Sequence, residues 1–167
     1  EFLDGAESAG LTHAELEDRL RTDGFELLRL LFQDHLDLRA DREQRVDAVV
    51  GADGVGRGWV ETGQSRPLIT LFGSVRVRRL AYRAKGAANL YPVDGALNLP
   101  NESFSHGLRA VAAVEAARGS FEEAVASIDR ATAAHVGKRQ VEDLAQATAV
   151  DFDAFFAANI YHVPFGG

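Results

Sequence analysis

Residues 96–144, ALNLPNESFSHGLRAVAAVEAARGSFEEAVASIDRATAAHVGKRQVEDL, restrict the fold more than any other stretch of the chain. A proline-stopped loop leads into three helical patterns joined by short polar turns. Ser103 or Ser105 can cap the first, in which Leu108, Val111, Ala112 and Glu115 recur across 106–117. Gly119 and Ser120 end that helix and cap the next. Phe121, Ala124, Val125 and Ile128 then stand at i, i+3, i+4 and i+7, a core stripe. Beyond a turn, Gly137 precedes Lys138, Arg139 and Gln140, and Val141, Leu144, Ala145, Thr148 and Phe152 carry the apolar face of a last helix to about residue 157. The pattern reads as a helix-turn-helix assembly. In that reading the last helix presents its N-terminal side chains to base edges in the major groove, where Lys138 and Arg139 suit guanine and Gln140 suits adenine. Two features weigh against it: Glu142 and Asp143 follow at once, and the 132–137 connection exceeds the usual 3 to 4 residues. A purely structural three-helix bundle explains the same pattern without DNA.

The front of the chain is a second helical unit. Thr12 with Glu15 three residues later has the spacing of a capping box, and Leu16, Leu20, Leu27, Leu28, Leu31 and Leu38 recur at helical spacing to about residue 50. Gly24 is a candidate break. So wide a leucine face must be covered by the rest of the domain or by a second copy. Core packing is the expected use, because sustained heptad charges are not evident. Between the helical parts, Gly51 to Gly58 breaks the period, and three short strands are expected at 55–62, 66–72 and 75–83, with Gly73 and Ser74 as the second turn. Val75 and Val77 oppose Arg76 and Arg78, yet Leu80 and Tyr82 share the arginine parity, so a β-bulge is expected near Arg78 and Arg79. Residues 84–103 read as extended, with Pro92 and Pro100 confining the backbone. The expected class is α+β and mostly helical. Its expected units are an N-terminal arm at 1–50, a small antiparallel sheet with an extended loop at 51–100, a helix-turn-helix-like bundle at 101–158 and a tail at 159–167.

Charge distribution matters more than the net charge of −7. Residues 1–50 hold 13 acids and 6 bases, 51–100 hold 3 and 7, and 101–167 hold 9 and 5. No acid lies between Thr62 and Val93, a stretch that contains Arg66, Arg76, Arg78, Arg79, Arg83 and Lys85. Such a segment can face a phosphate backbone even on an acidic protein. It can equally be a solvated hairpin whose arginines pair with the acidic first helix, and both readings stand at this point.

The wording of several segments, ALNLP, SHGLR, EAARGSFEEAV and KRQVEDLA, resembles the region ahead of the catalytic domain in bacterial insertion-sequence transposases of the ISKra family. Upstream, LFGSVRVRRLAY resembles the family's glycine-turned hairpin and LYPVD the segment after it, so the likeness spans about residues 7–157. The resemblance implies a DNA-binding front part that recognises the ends of a mobile element in DNA transposition without cutting them. Two departures qualify it. Many relatives carry a cysteine pair after the hairpin, whereas here the segment is Arg83-Ala84-Lys85-Gly86-Ala87-Ala88-Asn89-Leu90, so a metal does not carry over. After Ala157 the family continues through a linker to its catalytic domain, while this sequence ends NIYHVPFGG, which suggests a cut piece, a truncated gene product or a replaced tail.

Catalytic constellations are weak. His13, His35, His106, His135 and His162 never take the i, i+3 or i+4 spacing of a helical metal pair, and no G-x-S-x-G appears. Asp151 and Asp153 sit among Phe152, Phe155 and Phe156 without the rigid α/β core that two-metal nucleases need. No enzyme activity, cofactor or metal is therefore expected. Without cysteine the chain suits a reducing cytosol, no apolar run approaches the roughly 18 to 20 residues of a membrane span, and Glu1-Phe2-Leu3-Asp4 lacks a signal pattern, so a cytoplasmic place is expected. With no methionine anywhere, the first residue is not expected to be the natural start. The expected partner is double-stranded DNA at the element ends, contacted at phosphates by Arg76, Arg78, Arg79 and Arg83 and at bases by Lys138, Arg139 and Gln140. Two alternatives remain: an interaction module whose leucine face joins subunits into a homo-oligomer, and a stand-alone truncated regulator.

Overall fold

The computed structural model describes residues 5–159, with side chains described through Thr148. A short helix α1 (Ala6–Ala9) precedes α2 (His13–Asp41), whose start is the expected capping box: Thr12 Oγ1 accepts from Glu15 N–H while Glu15 Oε2 accepts from Thr12 N–H. Gly24 does not break α2. The helix stops nine residues short of the expected end at 50, because the chain beyond it is drawn against the sheet: Glu43 Oε2 accepts from Leu80 N–H, and the Tyr82 hydroxyl accepts from Val46 N–H.

The expected three strands prove to be one long hairpin plus a small ladder. β1 (Val49–Val50) pairs with β2 (Gly56–Arg57), and β3 (Trp59–Thr70) pairs antiparallel with β4 (Gly73–Arg83). The hairpin turns at Leu71 and Phe72 rather than at Gly73 and Ser74. Thr70 Oγ1 accepts from Phe72 N–H and donates to the Gly73 carbonyl, and Gly73 takes the positive φ of 111° that restarts the strand. An added Cβ at Gly73 would also come within 3.2 Å of Arg29 Cδ. Gly73→Ala is accordingly expected to destabilise the fold by about 1–3 kcal/mol in equilibrium denaturation. An unchanged midpoint would mean the turn relaxes without strain.

The bulge lies on the opposite strand from the one expected. Glu61 pairs with Ala81 and Gln64 with Arg79, so Thr62 and Gly63 together oppose Leu80, with Gly63 at φ 76°. β4 itself keeps its phase: Val75, Val77 and Ala81 are buried on one parity. The apparent slip at Leu80 and Tyr82 arises because that end of the strand is covered on its other face as well, where the Tyr82 hydroxyl accepts from Val46 N–H, while its backbone edge pairs with Leu90.

Two apolar clusters hold these parts together. Leu68, Val75 and Val77 bury against Leu36 and Phe32 of α2 and against Val93 of α3 (Pro92–Ala96), a short helix within the segment read as extended. Pro92 starts it where a missing N–H costs nothing. The second cluster is the bundle of α4 (His106–Arg118), α5 (Phe121–Ala131) and α6 (Lys138–Asn159), in which Leu108, Ala112, Ala124, Ile128, Val136, Val141 and Leu144 are buried. Ser105 caps α4 through Leu108 N–H and Ser120 caps α5, as the sequence indicates, and Glu123 completes a capping box with Ser120. Hairpin and bundle are joined, since Ile69 and Leu71 pack on the bundle and Ala133 N–H donates to the Leu71 carbonyl.

Each hairpin edge is contacted by another segment at particular residues. On the outer side of β4, the Gln33 side chain accepts from Arg76 N–H and donates to the Arg76 carbonyl. Along β3, Ile69 exchanges backbone hydrogen bonds with Ser103 and Ser105. Contacts of this kind shield each edge at those residues from pairing with another chain.

Candidate nucleic-acid interface

The hairpin arginines and the start of α6 are the two sites to which the sequence assigns DNA contact, and the fold gives them different chemistry. Arg78 spans two carboxylates of α2, with Nε to Asp37 Oδ1 at 2.9 Å and Nη2 to Asp41 Oδ1 at 2.9 Å. Those hydrogen bonds raise its pKa still further above its ordinary value. Arg79 is mostly buried, pairs with Asp94 and lies 3.7 Å from the centre of the Tyr91 ring. Arg83 pairs with Glu61 across the hairpin. Among the four, Arg76 alone binds no carboxylate in the described residues; it is exposed and reaches Ser65 Oγ at 3.3 Å. Arg66 is held by the carbonyls of Pro100 and Asn101, which orient its charge without cancelling it. Three of the six cations in the acid-free segment are thus paired with carboxylates outside it, and only those of Arg78 come from α2, so the second of the two sequence readings holds for Arg78 alone.

At the bundle, the six-residue connection between α5 and α6 is longer than a standard helix-turn-helix turn yet tightly packed. Thr132, Ala134 and Val136 are buried, Thr132 Oγ1 accepts from Ala134 N–H, and Ala133 is anchored to Leu71. Val141 and Leu144 then point α6 inward. Its opposite face carries Arg139, Asp143 and Gln146 at i, i+4 and i+7, all exposed. The three expected base readers separate here. Lys138 pairs with Glu122 of α5, and that contact raises the lysine pKa and lowers that of the glutamate. Gln140 Oε1 accepts from Gly137 N–H at 2.9 Å and so caps its own helix. Arg139 makes no hydrogen bond or ion pair with any described residue. Gln146 is not among the residues singled out from sequence, where Asp143 weighs against DNA contact; their spacing from Arg139 places both on its face.

A third cationic site has a structural role. Arg57 is 2 % exposed and binds Asp53 with both terminal nitrogens, the Val55 carbonyl at 2.7 Å and the Ala88 carbonyl at 2.6 Å. These contacts tie the β1–β2 loop to the segment after β4. Hydrogen bonds from Arg57, and next the Val55 N–H, hold the Asp53 carboxyl down to about 2. A depressed folded-state pKa means that this pairing contributes stability above the unfolded value near 3.9 and loses it as pH falls through about 2. Carbon NMR of the Asp53 carboxyl should therefore show a midpoint near 2, moving up towards about 4 in Arg57→Met. Equal midpoints in both proteins would contradict the pairing.

Among the described residues no three His, Cys, Asp or Glu side chains gather where they could hold a metal ion. No described helix is long and apolar enough to cross a membrane. No family model, curated protein or solved structure matches the chain.

Proposed function

We propose that this chain is a DNA-binding module, the front part of an insertion-sequence transposase, that recognises duplex DNA without cutting it. The observation that carries the reading is the outer face of α6: Arg139, Asp143 and Gln146 stand exposed on the first turns of a helix whose inner face is locked by Val141 and Leu144. A recognition helix needs that arrangement, with side chains of guanine-, cytosine- and adenine-reading types near its N-terminus and a rigid base behind them. Arg139 is the leading base reader, because it alone of the three sequence candidates is not engaged within the fold. Arg76 is the leading phosphate contact on the hairpin. Arg78 joins it only by exchanging Asp37 and Asp41 for phosphate, at the cost of an existing pair.

This narrower contact set fits an acidic protein whose non-specific affinity is weak and whose preference comes from a few base contacts. The experiment is selection from a random duplex pool by the purified chain. A shared short motif among the recovered duplexes supports the reading, and a recovered pool with no sequence enrichment overturns it.

A further inference from the structure

Helix α2 has two apolar sides, and the fold uses one of them. Phe32 and Leu36 face the sheet, while Leu20, Leu27, Leu28, Leu30, Leu31 and Leu38 are 43–57 % exposed. With 3.6 residues per turn, Leu20, Leu27, Leu31 and Leu38 lie about 140–180° around the helix from Leu36 and point away from the chain's own core, with Leu28 and Leu30 flanking them. The expected packing of that face into the core is therefore overturned. The six side chains leave roughly 500 Å² of leucine surface open, at the upper end of what a single monomer patch exposes.

We propose that this stripe pairs antiparallel with the same stripe of a second copy, on a two-fold axis at the level of residue 29 but on the face of α2 away from the sheet. Three features select that occupant. The leucine positions read the same in both directions about 29: 20 with 38, 27 with 31, and 28 with 30. A two-fold axis perpendicular to a helix requires this self-complementarity. The seam's heptad places the remaining two inward positions at Gly24 and Asp34. A parallel pair would stack Asp34 on Asp34 of the partner subunit and leave a gap at Gly24, whereas the antiparallel pair sets each Asp34 against a glycine whose Cβ direction is empty to 4 Å. The area also suffices: two stripes bring about 1,000 Å² of leucine surface, and the charged stems beside them carry the total into the 1,200–2,000 Å² range of stable interfaces. Pairing of this kind is independent of DNA contact and stands or falls separately.

The chain has no cysteine, which makes cross-linking a clean test. Leu20→Cys and Leu38→Cys are prepared separately, then oxidised alone and as an equimolar mixture. The mixture is expected to give a disulfide-linked heterodimer, with each single variant staying largely unlinked because 18 residues of helix, about 27 Å, separate the positions. Equal self-linking of Leu20→Cys would show a parallel pair and overturn the proposal. Sedimentation equilibrium supplies the second arm. At about 50 µM, above a micromolar dissociation constant, the wild-type chain is expected at twice its 18.0 kDa mass. Leu31→Arg, altering an exposed side chain, is expected at the single mass with an unchanged circular dichroism spectrum. A wild-type mass of 18.0 kDa at that concentration would also overturn the proposal.

Discussion

Ile128→Ala is expected to lower the unfolding free energy by about 3–4 kcal/mol and the melting temperature by roughly 6–14 °C. Ile128 is fully buried on α5 among Leu108, Ala124, Val136 and Val141, so truncation removes its transfer free energy and leaves a cavity that three rigid helices and a packed connection cannot close. Leu31→Ala makes a comparable truncation at 57 % exposure and is expected to cost less than about 1 kcal/mol in dilute solution, where the chain is a monomer. Thermal melting followed by Trp59 fluorescence at sub-micromolar concentration, below the dissociation constant of the pair, gives the comparison. Similar losses in the two would mean that the leucine stripe is buried within the monomer and that the packing described for α2 is wrong.

The second large effect concerns DNA. On duplexes selected by the wild-type chain, Arg139→Ala is expected to cost about 1–3 kcal/mol, between roughly fivefold and 150-fold in affinity, with little change on random DNA. Arg76→Ala should instead weaken all duplexes alike and reduce the salt slope by about 1. Arg79→Ala and Arg83→Ala should leave the slope unchanged, because Asp94 and Glu61 already hold those charges. Fluorescence anisotropy at several salt concentrations separates these outcomes. A uniform loss across duplexes in Arg139→Ala would move that residue from base reader to phosphate contact. A changed slope in Arg79→Ala would show that the ion pair with Asp94 opens on binding.

What could be read in the sequence was local. Thr12 with Glu15 marks a helix start because a capping box closes within four residues, Ser120 marks another as a cap, and the α5 stripe follows from 3.6-residue periodicity. The partners of the arginines were not legible for the opposite reason. Arg78 meets Asp37 and Asp41 from about forty residues away, and only the docking of α2 along β4 brings them together. The bulge was misplaced because parity shows that two faces are covered at Leu80 and Tyr82, not whether the cause is an extra residue or a second covering segment. Periodicity likewise identified the leucine side of α2 but could not say that Phe32 and Leu36, on the other side, would take the sheet. At the candidate interface, composition named Lys138, Arg139 and Gln140 together. Only the surroundings, Glu122 beside Lys138 and the open N-terminus that Gln140 caps, separate Arg139 from its neighbours.

The proposed binding of duplex DNA by this acidic chain rests on a short, partly basic surface. Its most direct test is a salt titration of wild-type binding to the selected duplex between about 50 and 200 mM, where phosphate contacts weaken steeply. Binding is expected near 50 mM and should fall with a log–log slope of about −1 to −3, as for one to three phosphate contacts rather than a broad basic face. No salt-dependent binding near 50 mM would contradict it.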